Sequence, residues 1–185
     1  MITLVVGTNN SGKSMLAEKL VMETSERSNR YYIATMIPFG DEGIERIKKH
    51  RKMREGKGFI TCEWPVDIDK HLCELEEETL RHLAGSTILL ECMSNLVGNE
   101  LYSTDNKGCN DDFLTEKIIS EVNALTEAAA NVIIVTNVFP REDEGYDDET
   151  VRYVNLTERV NARLRKLSHK VYELRDGEWI GNENN

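Results

Sequence analysis

The N-terminal stretch Met1–Met22 admits few folds. Ile2–Val6 is an apolar run rich in β-branched residues, which predicts a buried strand. Gly7-Thr8-Asn9-Asn10-Ser11-Gly12-Lys13-Ser14 follows, a G-x-x-x-x-G-K-S motif without a mismatch. Met15, Leu16, Leu20 and Val21 then recur at helical spacing. Strand, glycine loop and helix come in the order a P-loop needs. Gly7 and Gly12 permit backbone angles and close approaches that a Cβ blocks. The loop N–H groups then converge on phosphate oxygens at the positive end of the helix. Lys13 can reach the β- and γ-phosphates, and Ser14 can offer a hydroxyl to Mg2+. The stretch therefore predicts nucleotide binding. It leaves open what is done with the nucleotide.

The 185 residues suffice for one α/β domain, read here as a single nucleotide-binding domain over 1–185. A net charge of −10 argues against a nucleic-acid partner, which favours a basic face. No apolar run approaches the roughly 20 residues of a membrane span. The first strand leads straight into the glycine loop, unlike a signal peptide. Cys62, Cys73, Cys92 and Cys109 form no C-x-x-C pair and read as reduced thiols of a cytoplasmic protein.

Tyr31–Thr35 reads as a second strand. Ligands of open α/β sheets sit beyond the carboxyl ends of strands, which places Thr35 near the nucleotide or makes it a satisfied strand end. A helix is expected through Gly43–Arg54, with Asp41 as a possible cap. Between Arg46 and Arg54 seven of nine residues are Lys, Arg or His. Arg46, His50 and Arg54 are spaced to share one helical face. That face is either solvated or a sleeve for phosphates. Phe59–Trp64 reads as a short strand and Val66–Leu83 as one helix. Thr87–Glu91 is an apolar strand ending in a carboxylate, the pattern of a Walker B strand whose acid organises Mg2+ or water.

Ser94–Tyr102 is expected to be helical and Ser103–Asp112 a mobile loop. Phe113–Ala130 is an amphipathic helix whose expected core face includes Phe113. Asn131–Asn137 is another buried strand, followed by an acidic loop over Pro140–Asp148 and a helix over Glu149–Leu167 with Val151 among its apolar positions. Lys170–Arg175, a turn at Asp176-Gly177 and Glu178–Ile180 suggest a hairpin before a polar tail from Gly181. The expectation is an α/β P-loop NTPase: a mostly parallel RecA-like sheet flanked by helices, with a C-terminal hairpin.

Over most of its length the chain resembles the bifunctional adenosylcobinamide kinase / adenosylcobinamide-phosphate guanylyltransferase family of cobalamin biosynthesis. The motifs that carry the resemblance are the N-terminal P-loop, Tyr32-Ile33-Ala34-Thr35, the R-I-x-x-H-x-x-x-R element over Arg46–Arg54, Leu89-Leu90-Glu91-Cys92, Val135-Thr136-Asn137 and Asn161-x-x-Leu164. The chain departs from the family where Thr136-Asn137 runs into Val138-Phe139-Pro140 rather than a glutamate and a glycine-rich segment. The resemblance implies that His50 is the guanylylated nucleophile, with Lys13 as a second catalytic residue. It implies nucleotide contacts at Gly7, Thr8, Asn9, Asn10, Ser11, Gly12, Lys13, Ser14, Ile33, Ala34, Thr35, Arg51, Lys52, Met53, Arg54, Glu63 and Glu91. Ser14 and Glu91 are the candidate Mg2+ ligands. GTP and ATP are the implied nucleotides, adenosylcobinamide the acceptor, and a homotrimer the assembly. Two alternatives stand beside this reading: another small-molecule P-loop kinase without a histidine intermediate, and a nucleotide-gated binding protein.

Overall fold

Strand alternation decides which side chains meet. In the computed structural model, which describes residues 1–26, 29–139, 145–175 and 178–183, seven strands form one sheet in the order β3-β2-β4-β5-β1-β6-β7. They are β1 (Ile2–Gly7), β2 (Arg30–Ala34), β3 (Phe59–Glu63), β4 (Thr87–Glu91), β5 (Asn131–Asn137), β6 (Lys170–Arg175) and β7 (Glu178–Glu183). Neighbours pair in parallel except β6 and β7, which form an antiparallel hairpin. The central strands are apolar on both faces, as expected of a parallel sheet covered by helices on each side.

On one face Leu4, Val6, Ile88, Leu90, Val132 and Ile134 pack beneath α3 (Ile68–Cys73), α4 (Glu77–Ala84), α5 (Met93–Tyr102), α6 (Asp111–Ala128) and α7 (Asp148–Leu167). On the other, Val5, Tyr32, Leu89, Ile133 and Val135 pack against Ala17 and Val21 of α1 (Lys13–Thr24). The basic helix α2 (Gly40–Arg54) buries only Gly43 and Arg54. It is thus not a core helix but a wall at the carboxyl end of β2. Among the described residues no helix is long and apolar enough to cross a membrane. All four cysteines are free.

Several local expectations need correction. Helix α2 starts earlier than Asp41: Phe39 is its cap residue and Asp41 lies in its first turn. The helix expected over Val66–Leu83 is two, α3 and α4. Four glutamates in the five residues Glu74–Glu78 repel one another within a continuous helix. Glu76 is extended instead, and Glu77 and Glu78 fall in the first turn of α4, where the helix dipole favours them. Ser103–Asp112 contains a 3-10 turn at Thr104–Asn106 and the buried Asn106. Phe113 is 53 % exposed, because Asn110 caps α6 and the core face runs through Leu114, Ile118, Val122 and Leu125. Val151 is exposed too. Gly181–Glu183 belong to β7, not to a frayed tail. Most of the acidic loop, from Pro140 to Glu144, and the Asp176-Gly177 turn lie outside the described residues.

A polar cluster ties α3, α5 and α6 together. Lys117 Nζ lies 2.8 Å from Asp67 Oδ1, 2.8 Å from Glu100 Oε1 and 2.6 Å from Glu121 Oε1. Asn106 donates to the other oxygen of Glu100. Burial, opposed by Lys117 and reinforced by the charge of Glu100, pushes the Glu121 carboxyl up to about 8. Folding then takes up a proton that the unfolded chain, at an ordinary 4.5, has already released. This contribution to stability is complete below that ordinary value and falls as pH rises towards about 8. Glu121→Gln is expected to flatten the decline, read as denaturation midpoints between about pH 5 and 8. Lys117→Met, which strands the carboxylates, is expected to cost about 3–5 kcal/mol in the same assay at neutral pH.

Candidate active site

The phosphate-binding loop is shaped by close backbone approach. A Cβ on Gly7 would sit 2.6 Å from Ser11 Oγ and 3.2 Å from the Trp179 ring, so a larger residue at the end of β1 would push Ser11 and crowd Trp179. Asn10 (φ 59°) and Gly12 (φ 85°) take the left-handed conformation that turns the loop into α1. No side chain caps α1, which leaves its positive end to the loop. Lys13 is buried, and its Nζ donates to the Thr8 carbonyl at 2.5 Å. Burial lowers its pKa, with Cys92 and Glu91 pulling the other way.

Glu91 ends β4, buried to 8 % exposure. Ser14 Oγ donates to its Oε1, while its Oε2 is buried and without a hydrogen-bond partner. His50 on α2 brings Nδ1 to 3.6 Å from the same Oε1, and this nitrogen also lacks a hydrogen-bond partner. The carboxylate of the Walker B pattern and the histidine of the basic helix therefore meet. Arg54 is buried and lays its guanidinium 3.4 Å from the centre of the Tyr32 ring, with Nε and Nη1 unbonded. Burial, with Glu91 close by, pushes the Tyr32 phenol far above its ordinary range. Arg51 pairs with Glu63 at the exposed rim.

These groups line one cavity of about 580 Å³, a volume in the range of small-ligand sites. Of the residues expected to bind nucleotide, Asn9 to Ser14, Ala34, His50, Arg51, Met53, Arg54, Glu63 and Glu91 line it. Gly7 and Thr8 support it from behind, through the close approach and the Lys13 bond. Three others do not reach it. Ile33 is 1 % exposed and points into the opposite core, because strand alternation turns it away while Tyr32 and Ala34 face the cavity. Thr35 is fully buried and donates to the Cys92 carbonyl at 2.8 Å, locking β2 to the end of β4. Lys52 lies on another side of α2, in a shallow groove beyond Arg54. Sequence reasoning missed Tyr32, Asn95 and Asn137 as lining residues. For Asn137 a signal existed, since it is the polar end of a buried strand.

A hydroxyl, a carboxylate with one oxygen still unbonded and a positive helix end suit Mg2+ bound to phosphates. Comparison with solved structures gives the ATPase domain of G40P, 9 % identical, with a TM-score of 0.54 over 92 % of this chain and 68 % of that one. At this identity the likeness shows the fold alone, that of a P-loop NTPase. A comparison with curated proteins found no match. A family model described as cobinamide kinase / cobinamide phosphate guanyltransferase matches residues 3–180. With the P-loop fold, the site and a match over nearly the whole length in agreement, the chain belongs to this family of enzymes of cobalamin synthesis.

Proposed function

We propose that the protein phosphorylates adenosylcobinamide with ATP or GTP, and then transfers GMP from GTP to adenosylcobinamide phosphate through a guanylyl-His50 intermediate. The observation that carries this reading is the approach of His50 to Glu91 inside the P-loop cavity. With Nδ1 turned toward the carboxylate at 3.6 Å, Nε2 is the nitrogen left to act as nucleophile. Glu91 then offsets the positive charge the ring acquires on attack. The Nε2–phosphorus bond forms at the α-phosphate as the bond to the β-phosphate oxygen breaks, and pyrophosphate leaves. An oxygen of the acceptor phosphate next attacks the same phosphorus, and the electron pair of the broken N–P bond returns to the imidazole.

In the kinase reaction the acceptor hydroxyl attacks the γ-phosphorus. The γ-phosphorus bond to the β-phosphate oxygen breaks, the nucleoside diphosphate departs and the hydroxyl proton passes to water. Lys13 and the N–H groups of the loop hold the phosphates, and Arg54 adds positive charge at the cavity wall. Mg2+ held by Ser14 and Glu91 would neutralise charge on the phosphates. The family resemblance supports a homotrimer.

Incubation with GTP labelled at the α-phosphate is expected to give an acid-labile protein label that His50→Ala abolishes; label persisting in that variant rules the intermediate out. Lys13→Ala is expected to lower kcat/KM of the kinase reaction on the order of 10²-fold or more, measured by product formation under steady state. Chelation of divalent cations is expected to stop both transfers and to be reversed by added Mg2+.

A further inference from the structure

We infer that a second cavity, over α5, seats the corrinoid acceptor, and that this one pocket serves both transfer reactions; the inference rests on the activity proposed above. The cavity has a volume of about 600 Å³ and lies between the connections that follow β2 and β3, helix α5 and the start of α7. It adjoins the nucleotide cavity, because Asn95 lines both. The partition is thin. Asn137 on the nucleotide side donates to Ser94 Oγ on the other at 2.8 Å. Asn95 and Ser94 stand on the first turn of α5, directly after Glu91 and Cys92. The second cavity therefore opens at the end of the nucleotide site where Glu91, Ser14 and His50 meet, which is where phosphorus changes hands.

The two cavities differ in charge. The nucleotide cavity carries Lys13, Arg46, Lys49, His50, Arg51 and Arg54. Among the described residues, none that lines the second cavity is charged. Its polar groups are hydroxyls and carboxamides, among them Ser94, Asn95, Asn99, Thr104, Thr150 and Tyr153. Asn99 gives its Nδ2 hydrogens to the Thr35 and Pro65 carbonyls at 2.7 and 2.9 Å, so its carbonyl oxygen is the group it has to offer. Such a lining suits a ligand whose edge is rich in uncharged amides, with donors and acceptors in equal supply. At the mouth Ile37 and Tyr102 are 56 % and 59 % exposed, large apolar surfaces with little to cover them.

Cobinamide fits this description: a flat macrocycle edged with uncharged carboxamides. It is too large for the cavity, which takes the edge that carries the alcohol arm, while the ring lies on Ile37 and Tyr102. The arm then crosses the Asn95 sill. Its hydroxyl meets the γ-phosphate in the first reaction, and its phosphate meets the guanylylated histidine in the second, without the acceptor changing pockets.

The test uses Ile37→Arg and Tyr102→Ala, two exposed positions outside the nucleotide cavity. Binding of cobinamide is measured by equilibrium dialysis, GTP affinity by titration, and oligomeric state by size exclusion. Each variant is expected to weaken cobinamide binding roughly tenfold or more, with GTP affinity and His50 labelling unchanged. Unchanged cobinamide affinity in both variants overturns the assignment. So does a change of oligomeric state with cobinamide affinity intact, which makes the rim a contact between copies of the chain. Failure of the wild-type protein to bind cobinamide overturns it as well, while histidine labelling by GTP can still stand. Conversely, variant-sensitive binding without turnover sustains the cavity as a cobinamide site but overturns its part in the two transfers and removes the proposed activity.

Discussion

Three distant segments converge on Glu91, two at its carboxylate and one at its backbone. Ser14 from the start of α1 donates to it, His50 from α2 approaches the same oxygen, and its backbone carbonyl accepts the Thr35 N–H at 3.1 Å from the end of β2. A buried carboxylate cannot be left without partners at low cost. One of its oxygens takes the Ser14 hydroxyl, a group suited to Mg2+, with His50 beside the same oxygen, and the other oxygen is left open to the cavity's chemistry. Glu91 has this position because β5 is inserted between β1 and β4, so the loop after β1 must reach over the end of β5 to meet it.

The charge distribution follows from the same arrangement. A protein of net charge −10 carries its densest run of basic residues on α2. That helix contributes almost nothing to the core, so its placement depends on Arg54 seated on Tyr32 and on the approach of His50 to Glu91. A purely solvated basic face would not bury Arg54 with two nitrogens unbonded. The uncharged cavity across the Asn95 sill stands beside the basic one as a neighbour of opposite character.

Much of the fold is legible in the chain because the signals are local. Every strand is marked by a short apolar or alternating run, and the glycine loop declares its own geometry through Gly7 and Gly12. The errors share a cause. Phe113 reads as a core residue by hydrophobicity, yet the Asn110 cap sets the rotation of α6 and leaves it outside. Ile33 lies in a motif of the family, but its position in the strand alternation points it into the opposite core while Tyr32 faces the cavity. The break between α3 and α4 comes from a crowd of glutamates that apolar periodicity does not weigh.

The sequence by itself determined that a nucleotide is bound, since eight contiguous residues build a phosphate cradle whose requirements are local. It also placed His50 on a basic helical face and Glu91 at a strand end. That this histidine stands beside Glu91 in the P-loop cavity, and not on a solvated face, was decided only by tertiary structure. The distance from His50 to Glu91 spans two strands and two helices, and no local propensity encodes it. The second cavity is likewise a product of packing, assembled from loops and helices that meet only when the sheet is complete.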